Sequence, residues 1–541
     1  MTMAIHVNIL ALFFVAVVGV EGIPLRDPEP PTWPASYMAK GIINLPYAEI
    51  GEPFEAWYDG PNQRSRIDYY NGMDKTYQLA AQEKSYLISP WATEEISVEE
   101  TCFEIDGPVQ AQPVLPRNLT AFEYIGEENF EGTPCYNFRL KAVSGKKVNI
   151  YTLTVDQKSK YPKRYEMLGY DTLFGSHYDK YEVLYNSFDI GIPTEETFEI
   201  PKGMKCHGFP GPGAESAVIA NPMRDYFSPK DEDRIHHVFK DFVKQYSKDY
   251  KDKPEFERRK GHFRQNLRFI HAKNRQNLGY RLKINHLADL HDDEFKELRG
   301  RQRTRGYNGG KPFNPSVMVD DIPDFVDWRL RGAVTPVKDQ AICGSCWSFG
   351  ATGAMEGALF LHTGNRIRLS QQVLMDCSWG FGNNACNGGE EYRAYQWVMK
   401  HGGIPSEFTY GPYLGMNGYC HFNSSEVSTH IDGYVNVTSG SEEMLKVAIA
   451  THGPCSVGID ASHKSFSFYS DGVYYEPDCG NQTDDLDHAV LAVGYGTMRG
   501  QTYWLVKNSW STHWGNDGYI LMSTKNNNCG VTTDATFVEI A

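Results

Sequence analysis

Gln340-Ala341-Ile342-Cys343-Gly344-Ser345-Cys346-Trp347-Ser348-Phe349 is the stretch on which the fold and the chemistry of this chain turn. A helix is expected from Cys346 through Met355 and Glu356 toward Leu361, which sets a thiol at its positive end, and Gln340 stands six residues upstream. A free thiol near neutral pH is mostly protonated, so a cysteine that attacks an amide needs help to become a thiolate. The helix end gives part of that help. The Gln340 side-chain amide and the Cys346 backbone N–H would together bind a developing oxyanion.

Cys343-Gly344-Ser345-Cys346-Trp347 resembles the local signature of the papain and cathepsin family, in which a histidine and an asparagine lie far downstream. Both are found here, His488 in Leu486-Asp487-His488-Ala489-Val490 and Asn508 in Lys507-Asn508-Ser509-Trp510. The resemblance implies a thiolate–imidazolium pair of Cys346 and His488, with His488 returning its proton to the leaving amine. It also implies that Asn508 orients the ring and that Trp510 shields their hydrogen bond from water. Taken alone, Cys343-x-x-Cys346 also fits a redox pair or half of a zinc site. Neither alternative accounts for Gln340, His488 or Asn508, and no second Cys-x-x-Cys completes a four-thiolate set. No metal and no cofactor are therefore expected.

The resemblance covers 322–541, from Ile322-Pro323-Asp324-Phe325-Val326-Asp327-Trp328-Arg329 onward. It implies an α+β, papain-like two-lobe fold, a helical lobe with the nucleophile and an antiparallel β lobe with the histidine, and protein or peptide substrates in the cleft between. Ser511 departs from the family's usual glycine. The substrate-binding positions implied are Gly388, Gly389, Glu390, Glu391, Gly458, Leu486, Asp487, Ala489, Trp510 and Asp534. Asp534, counted from Cys529, falls on the floor of the pocket for the side chain two residues before the cut, with Glu390 and Glu391 near its rim. An acid there accepts arginine. The alternative is that Asp534 turns to solvent and the glutamates form an exposed lip. Of eleven cysteines, the family bridges would join Cys343 to Cys386, Cys377 to Cys420 and Cys479 to Cys529, leaving Cys346 free. Cys455 reads as a buried, inert thiol. Cys102, Cys135 and Cys206 are three, so one is left over.

Upstream, Glu255, Arg259, Phe263, Asn266, Ile270 and Asn274 are separated by four, four, three, four and four residues, a single helical stripe. The stripe is similar to the propeptide helix of cathepsin-L-like zymogens. Asn285, Leu287 and Asp289 alternate as on a strand and resemble the second propeptide motif. Segment 231–299 is thus expected to be an inhibitory prodomain whose tail crosses the cleft backwards, followed by an activation linker, 300–321. Arg299, Arg301, Arg303 and Arg305 read as an exposed, cleavable loop. Protonation of acidic groups such as Asp289 is expected to loosen the prodomain.

Residues 23–220 are rich in tyrosine and in alternating runs such as Val148-Asn149-Ile150-Tyr151-Thr152-Leu153-Thr154-Val155, and read as a separate antiparallel β domain. Trp57-Tyr58-Asp59-Gly60-Pro61-Asn62-Gln63-Arg64-Ser65-Arg66 resembles ependymin-like secreted proteins, whose sheet can enclose an apolar ligand. Aromatic strands also serve simply as core. Gly208 to Pro212 reads as a linker. The order of β domain, prodomain and peptidase domain is similar to that of two-subunit proteinases of insect haemocytes, which implies that the β domain is retained as a second subunit. Two other readings are a dipeptidyl peptidase with an exclusion domain, and a secreted binding or signalling module that the peptidase releases. The start at Ile23 lacks an acidic anchor, which favours an endopeptidase.

The apolar run Val7 to Val20 has the length of a secretory h-region, so 1–22 is expected to be a signal peptide and no segment is expected to cross a membrane. Sequons at Asn118, Asn423, Asn436 and Asn481 agree with a route to the lysosome, a secretory granule or the exterior. A formal charge of −15 argues against nucleic acid as partner.

Overall fold

The computed structural model describes residues 27–91, 99–107, 109–172, 176–208, 221–227 and 232–540. The expected signal peptide and residues 209–212 of the expected linker lie outside them.

Among the described residues, the N-terminal part forms one sheet of twelve strands. From edge to edge these are Cys206–Gly208, Glu99–Asp106, Lys84–Trp91, Asp74–Leu79, Arg64–Tyr69, Ile50–Asp59, Ser36–Leu45, Ser176–Ile190, Pro162–Asp171, Lys147–Asp156, Thr133–Ser144 and Glu123–Phe130. Alternation decides which face is inside, since Tyr37, Ala39, Ile43, Phe54, Ala56 and Ile67 point one way and are buried. Neighbouring strands run antiparallel except Cys206–Gly208, which lies parallel to Glu99–Asp106 and is bonded to it through Cys102–Cys206. Cys135 is the leftover thiol, free and buried. Part of the apolar face is covered by residues 114–122 and 221–227 of the same chain. Tyr69 Oη donates to Asn221 at 3.1 Å, Tyr181 Oη donates to the Tyr226 carbonyl at 2.9 Å, and Met223 and Tyr226 are buried.

Two helices follow, α1 (Glu232–Gln245) and α2 (Lys253–Arg275). Asp252 caps α2 by accepting from Glu255 N at 2.8 Å. The sequence stripe explains itself here. Phe263 packs on Phe239 and Phe242, Arg259 forks onto Glu294, and Asn266 Nδ2 donates to the Ala288 and Leu290 carbonyls. Asn274 clamps Leu282 from both sides, donating to its carbonyl and accepting its N–H. These asparagines are tools for holding the chain that returns beside the helix. That chain is not a strand at Asn285–Asp289. Asn285 Oδ1 accepts from Leu287 N at 2.9 Å and its carbonyl accepts from Ala288 N, so the alternating residues wind into a turn.

The C-terminal part centres on α3 (Cys346–Thr363). Its small residues admit close neighbours: a side chain at Gly353 would strike Leu491, and one at Gly357 would strike Pro454. On one flank α3 joins Val373, Leu374, Tyr395 and Trp397 in a helical core. The other flank meets a sheet built on Cys455–Ile459, His488–Met498, Gln501–Lys507 and Ala535–Glu539. This sheet borrows both its outer strands. Tyr280–Leu282, from the helical segment, pairs with Tyr469–Tyr474, and Lys311–Pro312 pairs with Gly433–Asn436.

Candidate active site

Cys346 is the first residue of α3 and is fully buried, and the backbone amides of Ala489 and Gly300 face its sulfur. His488 begins the strand His488–Met498. Its Nε2 lies 2.8 Å from Asn508 Oδ1, its Nδ1 has no partner, and its ring lies 4.9 Å from that of Trp510, which is itself buried. Among the described residues, Cys343 is bonded to Cys386, Cys377 to Cys420 and Cys479 to Cys529. The Cys-x-x-Cys pair is therefore not a dithiol, and Cys346 keeps its thiol. Cys455 is buried, and burial pushes its thiol far up, which makes it inert.

The cleft is covered. Arg301 N donates to the Asp487 carbonyl at 3.0 Å, Gln302 N to Gly389 O at 2.8 Å, and Gly389 N to Gly300 O at 2.9 Å, which makes a short parallel bridge. Any side chain at Gly388 (φ 107°) would strike the Gly300 carbonyl. Gln340 is fully buried and engaged, its Nε2 donating to Leu298 O at 2.8 Å and Cys343 O at 2.7 Å and its Oε1 accepting from Ser509 Oγ at 2.6 Å. Under this cover, burial pushes the Cys346 thiol up to about 12 and the His488 imidazole down to about 4. The covered pair is neutral. The thiolate–imidazolium pair expected from the sequence is thus disfavoured while the cleft is covered.

Arg301, whose side chain is 5% exposed, lies between two of the carboxylates expected to line the pocket for the side chain two residues before the cut. Its Nε donates to Glu391 at 3.1 Å, its Nη2 donates to Asp534 at 2.5 Å, and its guanidinium lies against Gly458. Burial raises the Glu391 carboxyl above its ordinary range even with this cation beside it. Under the linker both glutamates are buried, Glu391 against Arg301 and Glu390 accepting from Thr304 N at 2.7 Å and from Arg393 at 2.9 Å. Leu486 is buried beside Gly530. Asp487 pairs with Arg299 at 3.0 Å, and burial raises its carboxyl to about 6.

Arg299 and Arg301 are thus drawn into the cleft by carboxylates, and the exposed part of the expected loop is 303–307 rather than 299–305. Ser511 takes φ 68°, the left-handed backbone that a glycine would adopt without strain. Of the sequons, Asn118 and Asn423 are exposed, and Asn481 donates to Asn526 O at 3.3 Å. Asn436 donates its amide to Asn308 at 2.8 Å under the linker.

Residues 322–539 match the papain family cysteine protease domain, and 239–295 match the cathepsin propeptide inhibitor domain (I29). A cathepsin L-like peptidase of Aedes aegypti is 50% identical over 268 residues, 48% of this chain and 78% of that protein. This chain is a papain-family cysteine protease. The peptidase is similar also to human cathepsin L2, 43% identical over 267 residues, 48% of this chain and 79% of the relative. Among solved structures, digestive procathepsin L 3 of Tenebrio molitor larval midgut aligns with a TM-score of 0.53 and 37% identity, covering 57% of this chain and 99% of that one. The protein is a cathepsin L-like cysteine endopeptidase made as a zymogen that carries its own propeptide inhibitor domain. The four disulfides found among the described residues brace both parts. No described helix is long and apolar enough to cross a membrane.

Proposed function

We propose that Cys346 is the nucleophile and His488 its acid–base partner, in an endopeptidase that prefers arginine or an apolar residue two positions before the cut. The observation that carries this is the arrangement at His488: Asn508 holds Nε2 and leaves Nδ1 unpartnered in the buried cleft where the Cys346 thiol sits at a helix start. With the linker gone and water admitted, the thiol proton passes to His488 and the sulfur attacks the scissile carbonyl. The oxyanion is bound by the Cys346 N–H and by Gln340 Nε2, which is released when Leu298 departs. His488 gives its proton to the leaving amine, and a water deprotonated by His488 then cleaves the thioester. Asn508 orients the ring and Trp510 keeps water from that hydrogen bond. Gly389 and Asp487 offer backbone partners to substrate, Gly388 leaves room for its backbone, and Glu391 and Asp534 recognise a guanidinium as they do that of Arg301.

Cys346→Ser tests the central assignment. It should abolish amide hydrolysis and labelling by a thiol-directed epoxide while leaving thermal unfolding unchanged, and turnover near the wild-type rate would overturn it. The disulfides support passage through an oxidising route, to the lysosome, a granule or the exterior. Retention of the β domain as a second subunit belongs to the same proposal. The support is the order of β sheet, propeptide inhibitor domain and peptidase domain along the chain, and the mass of the processed protein in native solution tests it.

A further inference from the structure

The covered cleft holds guanidinium groups on both sides of the nucleophile. The Gly300 backbone faces the Cys346 sulfur, so Arg299 and Arg301 fall to either side of the reacting atom. Arg301 is held by Glu391 and Asp534, the carboxylates on the side that precedes the cut. Arg299 is held elsewhere. Its Nε lies 3.0 Å from Asp487 Oδ2, its Nη1 donates to the Ala461 carbonyl at 3.1 Å, and its side chain is 11% exposed. The Asp487 carboxylate is fixed before any guest arrives, because its Oδ1 accepts from Ala461 N at 2.9 Å and only Oδ2 is turned to the guanidinium. Ala461 thus supplies a donor that orients the acid and an acceptor that binds the base. Asp460 adds negative charge to the same corner.

The position of Arg299 also gives the side of the cut. It lies across Gly300 from Arg301, and Asp487 directly precedes His488, which protonates the leaving amine. In a substrate the order is therefore the reverse of that in the linker. The residue in the place of Arg301 stands two before the cut, and the residue in the place of Arg299 directly follows it.

We propose that Asp487 and the Ala461 carbonyl form a second guanidinium site, for the residue immediately after the cut, and that the substrates are cationic peptides with arginine on both sides of the cut bond. This deepens the proposed function and rests on its assignment of Cys346 as the nucleophile. At each site a guanidinium that leaves water needs a charge-assisted partner, and each site supplies one. The formal charge of −15 favours encounter with a cationic chain. The pattern ends at Arg303, whose partner Asp484 is 66% exposed, since a pair so open to water contributes little.

The test uses the processed enzyme at pH 7, where the Asp487 carboxyl, raised to about 6, is ionised. Internally quenched peptides keep leucine two residues before the cut and glycine directly before it, and carry arginine or its neutral isostere citrulline directly after it. The bond cut is identified from product masses. Arginine is expected to raise kcat/KM about five- to tenfold over citrulline, the worth of a charge-assisted pair partly open to water. A second series, with arginine or citrulline two residues before the cut and alanine after it, reads the Glu391 and Asp534 site separately, and the peptide with arginine at both places should be cut fastest. Asp487→Asn keeps an acceptor for Ala461 N and removes the charge. It should erase the preference after the cut and spare the preference before it, each taken as a ratio within one enzyme. Should that variant fail to fold, the wild-type ratio decides. Equal rates on arginine and citrulline peptides, a cut at another bond, or a preference that survives Asp487→Asn would overturn the proposal and leave Cys346 in its role. An enzyme that cuts none of the peptides would overturn both.

Discussion

Replacing His286 with phenylalanine should make the zymogen slower to open in acid. His286 sits in the turn after Asn285, where it is packed between Tyr246, at 6.4 Å between ring centroids, and His513 of the peptidase domain, at 5.9 Å. Its Nδ1 is buried without a partner. Burial, with Lys248 and His513 adding repulsion, pushes its pKa down to about 3. The acid of this corner, Asp339, faces His513 and Lys248. A histidine whose pKa is lowered in the closed form favours closure above pH 6.5, and that preference is lost as pH falls toward the lowered value. Each pH unit below 6.5 is worth about 1.36 kcal/mol, so at pH 5 the closed form loses about 2 kcal/mol. The ring is partly exposed, and solvent screening cuts this to about 1 kcal/mol, or about fivefold in opening. Asp487 works in the opposite sense, because its raised pKa means the covered cleft holds a proton that an open cleft would give up. The assay is the rate of epoxide labelling of Cys346 in uncut precursor between pH 4 and 7.5. Wild type should accelerate steeply below pH 6, and His286→Phe should lag about fivefold at pH 5 with the same rate at pH 7.5. Superimposable profiles would refute the reasoning.

Asp534→Ala should lower hydrolysis of Arg-Arg fluorogenic substrates about tenfold or more, while Phe-Arg substrates change less than about twofold; equal losses on both would remove Asp534 from arginine recognition. Ser511→Gly relieves a left-handed residue and should stabilise the peptidase domain by about 1 kcal/mol in urea unfolding. Cys102→Ser with Cys206→Ser opens a loop of 104 residues and should cost the N-terminal sheet about 2–5 kcal/mol, with the activity of the processed peptidase unchanged.

Local motifs were the legible part of this chain. Cys346, His488 and Asn508 announce themselves because each is fixed by its immediate neighbours, and the asparagine stripe of α2 announces a helix because its polar members sit where an ordinary amphipathic helix would be apolar. What escaped depends on partners far away in sequence. The four arginines from 299 to 305 look alike as text, yet the side chains of two are largely enclosed, 11% and 5% exposed, because only at 299 and 301 do Asp487, Glu391 and Asp534 come within reach. The alternation at Asn285–Asp289 suggested a strand, but the Asn285 side chain offered its backbone a closer acceptor and made a turn. A further face of α2, carrying Glu257, Arg264, Arg268 and Arg275, lies against the N-terminal sheet, where Asp179 and Glu52 neutralise the arginines. A charged stripe reads as solvated until the sheet that neutralises it is in view.

Activation changes the outline of the peptidase sheet as well as its cleft. Tyr280–Leu282 and Lys311–Pro312 close its two sides in the zymogen, so removing the helical segment and the linker bares the backbone of Tyr469–Tyr474 on one side and of Gly433–Asn436 on the other. Bare edges invite another strand, from a substrate, a binding protein or a second copy. The exposed ladders are only three and two residue pairs long, which limits how far such pairing can spread. The sequon asparagine Asn436 lies at the end of the newly opened edge, with its amide freed from Asn308, so a sugar added there would serve as an edge guard.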